Sequence, residues 1–464
     1  MKKTIYLLLL ATILLACKKD FLSAKTDDSL VIPTTIAELQ ALLDNDNAIT
    51  GLNEGGPNIS LLFAGTDEFI LTETQFQNAT EYARSVYQWS PVLKTAGANL
   101  SNLDWASPYR TVYYANIALQ GIDKIAPPDA ETQQWNNVKG SALFLRGYTF
   151  YQLSQAFCPP PQQGNMDSPY GLPLRLSADI SAASVRSSLG ETYSQILSDL
   201  KASIRLLPEK PVYKTRPSRT AAYAMLARVY QTLSNHSAAL AYADSCLALS
   251  PVLLDFNTID PAPTYPFTAL NDEIIFNGVM PSSPLAQYMI STTRSAIPQE
   301  NFARFPANDL RRKLYFSNNS SNGNLQFRGS YLKSSIPFCG IATDEILLIK
   351  AEAHARLGQI QPAMDALNIL LKKRYSMGTF VPASATSMQQ ALTTVLDERF
   401  RELYMRGTRW TDLRRLNQDS QMTISLTRTI TGETYTLSPG SSLYTWPIPD
   451  AVLSANPGMA QNPR

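Results

Sequence analysis

Three stretches of the chain repeat the same spacing of small and large apolar residues. In the first of them, Gly147, Phe150 and Leu153 follow one another at intervals of three. The same spacing recurs from Ala227 and from Ala351, and in these two cases another small residue follows twelve positions later. Residues at such intervals share one helix face, and the small residue lets a neighbouring helix come close. The pattern predicts tetratricopeptide-like pairs of helices, with generic helix pairs as the alternative.

Other segments combine helical periodicity with helix-terminus signals. Thr35 precedes an apolar helical run and Glu38 follows it three residues later, which is the pattern of a capping box. A proline pair or a single proline ends two of the other periodic segments, and the last periodic segment is long and highly charged. These further helices are predicted at residues 107–125, 190–208 and 396–416.

Two segments differ in composition from these helices. Residues 51–106 and 255–340 contain Pro, Ser, Asn and Gly mixed with aromatic residues, and the run 86–89 is typical of a strand. Long loops in a compact protein are usually functional or disordered, and the aromatic residues favour function. The predicted fold is therefore mainly α, with tetratricopeptide-like helical pairs at about 35–250 and 341–464 and a loop-rich part that carries short β hairpins.

The first residues have the pattern of an export signal. Two lysines precede an apolar run at 5–16, which as a helix would be about 18 Å long and too short to cross a membrane. The run ends at a cysteine and resembles the lipobox of bacterial lipoproteins. That resemblance implies a signal peptide at 1–16, acylation of Cys17 and a single domain at 17–464 anchored by lipid. An ordinary signal peptide is the alternative.

Composition and charge narrow the classes of function. The formal net charge is +2, and removal of the two signal lysines would bring it to zero. Nucleic-acid binding requires clustered positive charge, so we expect no nucleic-acid partner. Cys158, Cys246 and Cys339 are too few and too scattered for a disulfide framework. With two histidines in the chain, zinc sites and Ser/His or Cys/His catalysis have little support, and we expect no metal and no cofactor.

The strongest catalytic candidate is a pair of glutamates. Glu398 and Glu402 would share a helix face with Cβ atoms about 5–6 Å apart, close to the carboxyl separation of retaining glycosidases. Asp397 can pair with Arg401, and Glu402 with Arg406, each at a spacing of four. Such a lattice lowers carboxylate pKa values, which is the opposite of what a general acid needs. We interpret the pair as structural and predict no catalytic residues.

The loop-rich segments are better suited to binding. Sugar rings present apolar C–H faces that aromatic rings cover, and hydroxyl rims that amides, carboxylates and guanidinium groups bind. For any one aromatic residue, packing in the core is the alternative. The candidates in the first segment are Asp67, Arg84, Trp89, Asn99 and Asn102, and those in the second are Tyr265, Tyr288 and Phe305.

Sequence blocks along nearly the whole chain after residue 17 resemble the SusD/RagB family of outer-membrane nutrient-binding lipoproteins. The blocks are, in order, TTIAELQALL, WASPYRTVYYANIAL, GSALFLRGYTFYQLSQAFCPPP, YGLPL, SRTAAYAMLARVYQTL, TDEILLIKAEAHARLG, ERFRELYMRGTRWTDLRR and WPIPDAVLSANPGMAQNP. The resemblance implies a non-enzymatic lipoprotein on the outer face of the outer membrane, above a SusC-like TonB-dependent transporter. It implies capture of an oligomeric nutrient, usually a glycan, by the loop-rich segments, and its delivery to that transporter.

Other interpretations stay open at the level of sequence. A helical-repeat lipoprotein could scaffold an envelope assembly without binding a small ligand, and a hydrolase is the third class. The ligand could be a glycan, a glycoconjugate or a peptide, because the loops and not the helices decide specificity. Surface exposure and periplasmic residence both fit a lipid anchor at Cys17.

Overall fold

Helices dominate the part of the chain that the computed structural model describes, residues 33–45, 56–94, 103–281, 283, 285–286, 288 and 295–464. The helices are α1 (Ile36–Leu43), α2 (Leu61–Ala64), α3 (Glu73–Gln77), α4 (Glu81–Tyr87), α5 (Leu103–Ile122), α6 (Thr132–Phe157), α7 (Leu189–Ile204), α8 (Arg219–Thr232), α9 (His236–Leu249), α10 (Gln299–Ala303), α11 (Arg311–Leu314), α12 (Thr343–Arg356), α13 (Ile360–Leu371), α14 (Met388–Glu402), α15 (Arg409–Leu416) and α16 (Asp450–Ala455). The strands are β1 (Ile70–Leu71), β2 (Ile274–Phe276), β3 (Ser295–Ala296), β4 (Phe316–Asn318), β5 (Leu325–Phe327), β6 (Ile341–Ala342), β7 (Leu426–Ile430) and β8 (Glu433–Leu437).

The longer helices pack one against the next in a continuous series. Helix α5 packs against α6, α6 against α7, α7 against α8, and α8 against α9. Helix α12 then packs against α9, although residues 250–342 separate them in the sequence, and α13 and α14 follow. The helix pairs that contain Ala227 and Ala351 are therefore neighbours in space. The predicted mainly α, tetratricopeptide-like fold is confirmed.

Gly147 shows why the repeated spacing begins with a small residue. A Cβ atom at this position would lie 3.1 Å from Leu200 Cγ and 3.2 Å from Asp199 Cβ on α7. Next to it, the guanidinium of Arg146 donates to both oxygens of Asp199, at 2.8 and 2.7 Å, where both side chains are buried. The contact between α6 and α7 thus combines close backbone approach with a buried ion pair.

Local signals placed some helix ends correctly. The capping box of α1 is present, because Thr35 Oγ1 accepts from Glu38 N at 3.2 Å and the Glu38 carboxylate accepts from Thr35 N at 3.1 Å. Helix α5 begins earlier than predicted, so that Pro108 lies inside it. Tertiary contacts hold the extra turn, since the Asp104 carboxylate accepts from the amide and the hydroxyl of Ser60 at 2.6 and 2.7 Å.

Two sequence predictions about secondary structure are wrong. The run 86–89 is not a strand, because Thr80 caps α4 by accepting from Ala83 N at 3.2 Å and the helix continues through Tyr87. The charged segment 396–416 is not one helix, because the chain turns between α14 and α15. In that turn Met405 and Gly407 have φ angles of 57° and 73°, and a Cβ at Gly407 would lie 2.7 Å from the Phe63 ring.

Short strand pairs join segments that are distant in sequence. Strand β1 pairs with β3, with Ile70 opposite Ala296, and β2 pairs with β6. Because β1 lies in the first loop-rich segment and β3 in the second, this pairing brings the two segments together. The hairpin β4–β5 lies in the second segment, as predicted. The hairpin β7–β8 lies in the C-terminal helical part, where we predicted none.

Aromatic residues fill much of the interior on the loop-rich side. Phe316 packs against Phe305 and Tyr404, with ring centroids 5.0 and 5.5 Å apart. Trp410 and Trp446 stack at 5.2 Å with both side chains fully buried, so they are structural. None of the helices in the described residues has the length and apolar character that a membrane span requires.

Candidate functional site

A surface cleft of about 980 Å³ opens beside the N-terminal half of α5. Its lining comes from three parts of the chain: α5, the loop at 173–185, and the C-terminal segment at 451–459. Ligand pockets usually measure about 300–1,000 Å³ and combine apolar walls with a few polar groups. The cleft is therefore large enough for an oligomeric ligand.

Three aromatic residues of α5 line the cleft at intervals of four. Trp105, Tyr109 and Tyr113 share one face of the helix. Trp105 is almost enclosed, packing on Phe157 at a centroid distance of 5.0 Å and on Tyr109 at 4.9 Å. We call these three residues the aromatic ladder. Tyr113 is its exposed end, with 37% of its surface exposed. A ligand can therefore lie against the exposed Tyr113 ring.

The loop at 173–185 is fixed to α5 by hydrogen bonds. Tyr109 Oη donates to the Pro173 carbonyl at 2.9 Å. Asn116 Nδ2 donates to the carbonyls of Arg175 and Ser177 at 2.9 and 3.1 Å, and its Oδ1 accepts from Arg146 Nη1 at 3.0 Å. The amide orientation of Asn116 is set by these partners. The loop is thus connected through Asn116 to the buried ion pair between α6 and α7.

Arg175 gives the same loop its closed shape. Its Nη1 donates to Ser184 Oγ at 3.1 Å and to the Ala182 carbonyl, and its Nη2 donates to the Asp179 carbonyl. Ile180 and Val185 of the same loop are largely exposed beside the cleft. The opposite wall, from Val452 to Met459, is mostly apolar. The cleft therefore offers ring and apolar contacts, with serine hydroxyls on one rim.

Asp67 is held in an ion pair at the junction of the two loop-rich segments. Its carboxylate accepts from Arg409 Nε and Nη2, each at 2.7 Å, and its carbonyl accepts from Asn301 Nδ2 at 2.7 Å. Burial raises the pKa of Asp67, but the Arg409 guanidinium outweighs it and the net pKa is below the ordinary value. Asp67 is ionised here and already paired, and its predicted contact with a ligand stays a prediction.

Arg84 and Trp89 also make defined internal contacts. Arg84 Nη1 donates to the carbonyl of Gln77, the last residue of α3, at 2.8 Å. Trp89 is 2% exposed, and its Nε1 donates to the Gly65 carbonyl at 2.9 Å. The Arg428 guanidinium lies 4.4 Å from the centroid of its ring. In this structure Trp89 therefore offers no open ring face to a ligand.

The candidates of the second segment lie in different surroundings. Phe305 is 1% exposed and belongs to the aromatic core, whereas Tyr265 and Tyr288 are half-buried. Through α10, the structure places Phe305 near Asp67, since Asn301 bonds the Asp67 carbonyl. The roles predicted for these residues stay predictions. Asn99, Asn102 and Cys17 lie outside the described residues.

The glutamate pair considered for catalysis is surrounded by arginines. Arg311 Nη1 donates to Glu398 at 2.5 Å and to Glu402 at 2.7 Å, and all three side chains are fully buried. Arg401 also binds Glu398, at 2.7 Å, and Arg374 also binds Glu402, at 2.7 Å. A buried carboxylate that receives so many charge-assisted hydrogen bonds is structural in this setting.

The ion pairs predicted within this helix are wrong. Asp397 pairs with Arg304 at 2.7 Å and not with Arg401, and Arg406 pairs with Asp344 at 2.8 Å and not with Glu402. As expected, the pKa of Glu398 is lowered, because the attraction of its arginines outweighs the effect of burial. For Glu402 the pKa is raised, because burial outweighs the attraction of its two arginines.

One member of this pair, Glu402, also lies close to two other buried carboxylates. Oxygen atoms of Glu273, Asp344 and Glu402 lie within 4.8 Å of one another, a spacing that metal ligands can have. Each is already bound by a guanidinium at 2.7 or 2.8 Å, from Arg374 for the glutamates and from Arg406 for the aspartate. The arginines supply the positive charge that a metal ion would otherwise provide.

Sequence reasoning missed the aromatic ladder, although its signal was present. Trp105 lies near the end of the loop-rich segment 51–106, and Tyr109 and Tyr113 follow at helical spacing. Because we assigned the helix a later start, Trp105 was not placed on the same face as the two tyrosines. The opposite walls of the cleft come from residues that are distant in sequence, so only the structure shows them.

The structure is that of a helical-repeat protein with a large surface cleft, and the comparisons identify its family. A family model described as starch-binding and associating with the outer membrane matches residues 20–231, and the SusD family model matches residues 330–464. The chain belongs to the SusD/RagB family. The family association with glycan binding at the outer membrane agrees with the prediction made from the sequence blocks. Among curated proteins, no match to this chain is found.

Solved structures show the same fold. A SusD superfamily protein from Bacteroides thetaiotaomicron aligns with a TM-score of 0.76 at 19% identity, over 93% of this chain and 100% of that chain. A SusD-like carbohydrate binding protein from Bacteroides vulgatus aligns with a TM-score of 0.72 at 20% identity, over 92% and 98%. Surface glycan-binding protein A from Bacteroides uniformis gives a TM-score of 0.66 at 18% identity, over 92% and 99%.

Proposed function

We propose that this protein is a lipid-anchored, non-enzymatic capture protein of the outer membrane. It binds an oligosaccharide and delivers it to a SusC-like TonB-dependent transporter. The observation that carries the proposal is the aromatic cleft beside α5 in a chain of the SusD/RagB family. Its volume suits several sugar units, and the cleft combines ring faces with hydroxyl-bearing rims as sugars require.

The charge network supports binding without turnover. Glycoside hydrolysis needs one carboxyl group that donates a proton and another that faces the sugar. The carboxylates Glu398 and Glu402 are fully buried and bound by arginines, so they cannot reach a ligand in the cleft. Testing the purified domain against a panel of labelled oligosaccharides separates the two functions, since we expect retention of the ligand and no cleaved products.

Replacing Tyr113 by alanine (Y113A) should weaken glycan binding about tenfold. Tyr113 is the exposed end of the aromatic ladder, and stacking of an aromatic side chain contributes about 0.5–1.5 kcal/mol beyond area burial, close to the 1.4 kcal/mol that a tenfold change in affinity requires. Isothermal titration calorimetry with the oligosaccharide selected from the panel measures the dissociation constants of the wild type and of the variant.

A matched control is available at Tyr213. This tyrosine is more exposed than Tyr113 and does not line the cleft, so Y213A should bind with wild-type affinity. Tyr265→Ala tests the loop-rich surface in the same titration. Equal affinities for Y113A and the wild type, with a loss only in Y265A, would move the ligand site from the cleft to that surface.

Replacing Cys17 by serine (C17S) should release the protein from the membrane fraction. Several acyl chains on one residue give stable anchoring, and serine provides no thiol for the first of them. Cell fractionation measures the distribution, and mass spectrometry of the N-terminal peptide detects the acyl groups. Ser23→Ala should stay anchored. An unmodified Cys17 in the wild-type protein would contradict the proposed anchor.

A further inference from the structure

A small polar pocket lies where residues 58–63, α6, α8, α12 and the turn between α14 and α15 meet. Its volume is about 20 Å³, which is enough for one small ion or water molecule. The lining side chains include Arg399 of α14, Arg406 of the turn, and the pair Arg228 and Glu345. The pocket does not belong to the cleft beside α5, with which it shares no lining residue among the described ones.

Two buried donors at this pocket have no hydrogen-bond partner. Arg399 is 3% exposed and Arg406 is 5% exposed, and the unpartnered atoms are Arg399 Nη1 and Arg406 Nε. A buried polar group without a partner costs about 1–3 kcal/mol, and more when it is charged. Among the described residues that line the pocket, these two are the fully buried side-chain N and O atoms without a partner, and both are N–H donors of cations.

Both unpartnered atoms are hydrogen-bond donors, and this indicates which kind of partner is missing. A water molecule would accept from the two guanidinium groups but would also bring two O–H groups that need acceptors. A monovalent anion accepts hydrogen bonds and donates none, and it also meets the positive charge of both side chains. The unpartnered atoms therefore match an anion better than water.

Each of the two arginines already pairs with one carboxylate, Arg406 with Asp344 at 2.8 Å and Arg399 with Asp412, so the two unpartnered N–H groups, and not an excess of positive charge, call for an acceptor. Asp412 accepts from Arg399 Nε at 2.8 Å and also from Arg415 Nε at 2.9 Å, and Arg415 in turn binds both oxygens of Glu352. Glu345 lines the same pocket, but both of its oxygens are bound by Arg228, at 2.7 and 2.5 Å. The carboxylate next to the pocket is therefore already neutralised.

We propose that Arg399 and Arg406 bind a small monovalent anion in this pocket, chloride under ordinary conditions. The ion connects α14 to the turn that leads into α15. Arg409 at the start of α15 holds Asp67 of the first loop-rich segment. The anion thus stabilises the turn on which the junction of the two loop-rich segments depends.

Bromide replaces chloride in the decisive experiment. Crystals of the wild-type protein grown with sodium bromide, measured at the bromine absorption edge, should show an anomalous peak within hydrogen-bond distance of both Arg399 Nη1 and Arg406 Nε. Electron density for a water molecule without an anomalous peak would overturn the proposal.

Thermal unfolding distinguishes a structural ion from an adventitious one. Chloride is raised tenfold at constant ionic strength by replacing gluconate, an anion that is too large for the pocket. This change should raise the melting temperature by about 2 °C. Thr411 lines the pocket, so Thr411→Met should fill it and abolish the chloride dependence, whereas Thr393→Met on the exposed side of α14 should retain it. A bromide peak without chloride-dependent melting would indicate an adventitious ion only and would also refute the proposal.

Discussion

Replacing Arg311 by methionine (R311M) should lower the free energy of unfolding by about 3–5 kcal/mol. Arg311 is fully buried and donates to Asp309 at 2.7 and 2.9 Å, to Glu398 at 2.5 Å and to Glu402 at 2.7 Å. Methionine fills a similar volume but leaves three buried carboxylates without their shared cation. Asp309 is affected most, because Glu398 retains Arg401 and Glu402 retains Arg374.

Chemical denaturation measures this loss as a shift of the midpoint. The exposed neighbour Lys313 provides the control, since K313M should change stability by less than about 0.5 kcal/mol. If R311M yields no folded protein, R311K is measured instead, and it should lie between wild type and R311M because lysine keeps the charge but not the fork of donors. Equal midpoints for R311M and K313M would show that the buried cluster does not hold this part of the fold.

The network around Arg311 shows which interactions sequence can and cannot predict. The sequence placed Glu398, Glu402 and the nearby arginines on one charged helix, and it interpreted them correctly as structural rather than catalytic. It paired them within that helix, because spacing along a helix is the only geometry that sequence provides. Arg401 of the same helix binds Glu398, but Arg311 and Arg374 come from other elements and reach the glutamates because the tertiary fold buries them together.

Helices were predicted well where their determinants are local. The capping box at Thr35 and the small residue at Gly147 act over a few residues, and both have the expected effect in the structure. The break between α14 and α15 was not predictable in this way. Gly407 is a local signal, but the turn also needs Met405 in the left-handed region, where the contacts of the turn with the first loop-rich segment hold it.

The candidate site was predictable only in part for the same reason. Aromatic residues in a loop-rich region at 51–106 indicated ligand binding, and Trp105 belongs to that region. The contact between the two loop-rich segments depends on β1 and β3, which have two residues each and therefore no periodicity. Trp89 and Phe305 have no open ring face because both are buried. Aromatic residues in loops can cover a hydrophobic core as readily as they bind a ligand, and sequence does not distinguish the two.

The second large effect concerns Glu68, a buried carboxyl group next to Asp67. Its Oε1 accepts from Met405 N at 2.6 Å, and its Oε2 lies 3.2 Å from Thr66 Oγ1. Thr66 has one hydroxyl proton and donates it to the Phe63 carbonyl at the shorter distance of 2.8 Å. Thr66 therefore gives Glu68 Oε2 only a long, shared hydrogen bond, so a negative charge on this oxygen receives little stabilisation.

The pKa of Glu68 agrees with this geometry and sets the direction of the pH dependence. Burial raises the pKa from its ordinary value of 4.5 to about 8, and the Met405 N–H opposes it only in part. Between these two values the folded state keeps a proton that the unfolded state has lost. The contribution of Glu68 to stability is therefore fully favourable below pH 4.5, and it decreases as the pH rises towards 8.

Replacing Glu68 by glutamine (E68Q) should therefore stabilise the protein by about 3 kcal/mol at pH 7 and have little effect at pH 4. The amide reproduces the neutral acid, because its oxygen can accept from Met405 N and its Nε2 can donate to Thr66 Oγ1. Denaturation midpoints at pH 4, 6 and 8 measure the difference, which should grow with pH. Glu131→Gln, at an exposed site, should show no such growth. A difference that is constant across the three pH values, or a less stable E68Q at pH 8, would mean that Glu68 is ionised in the folded protein.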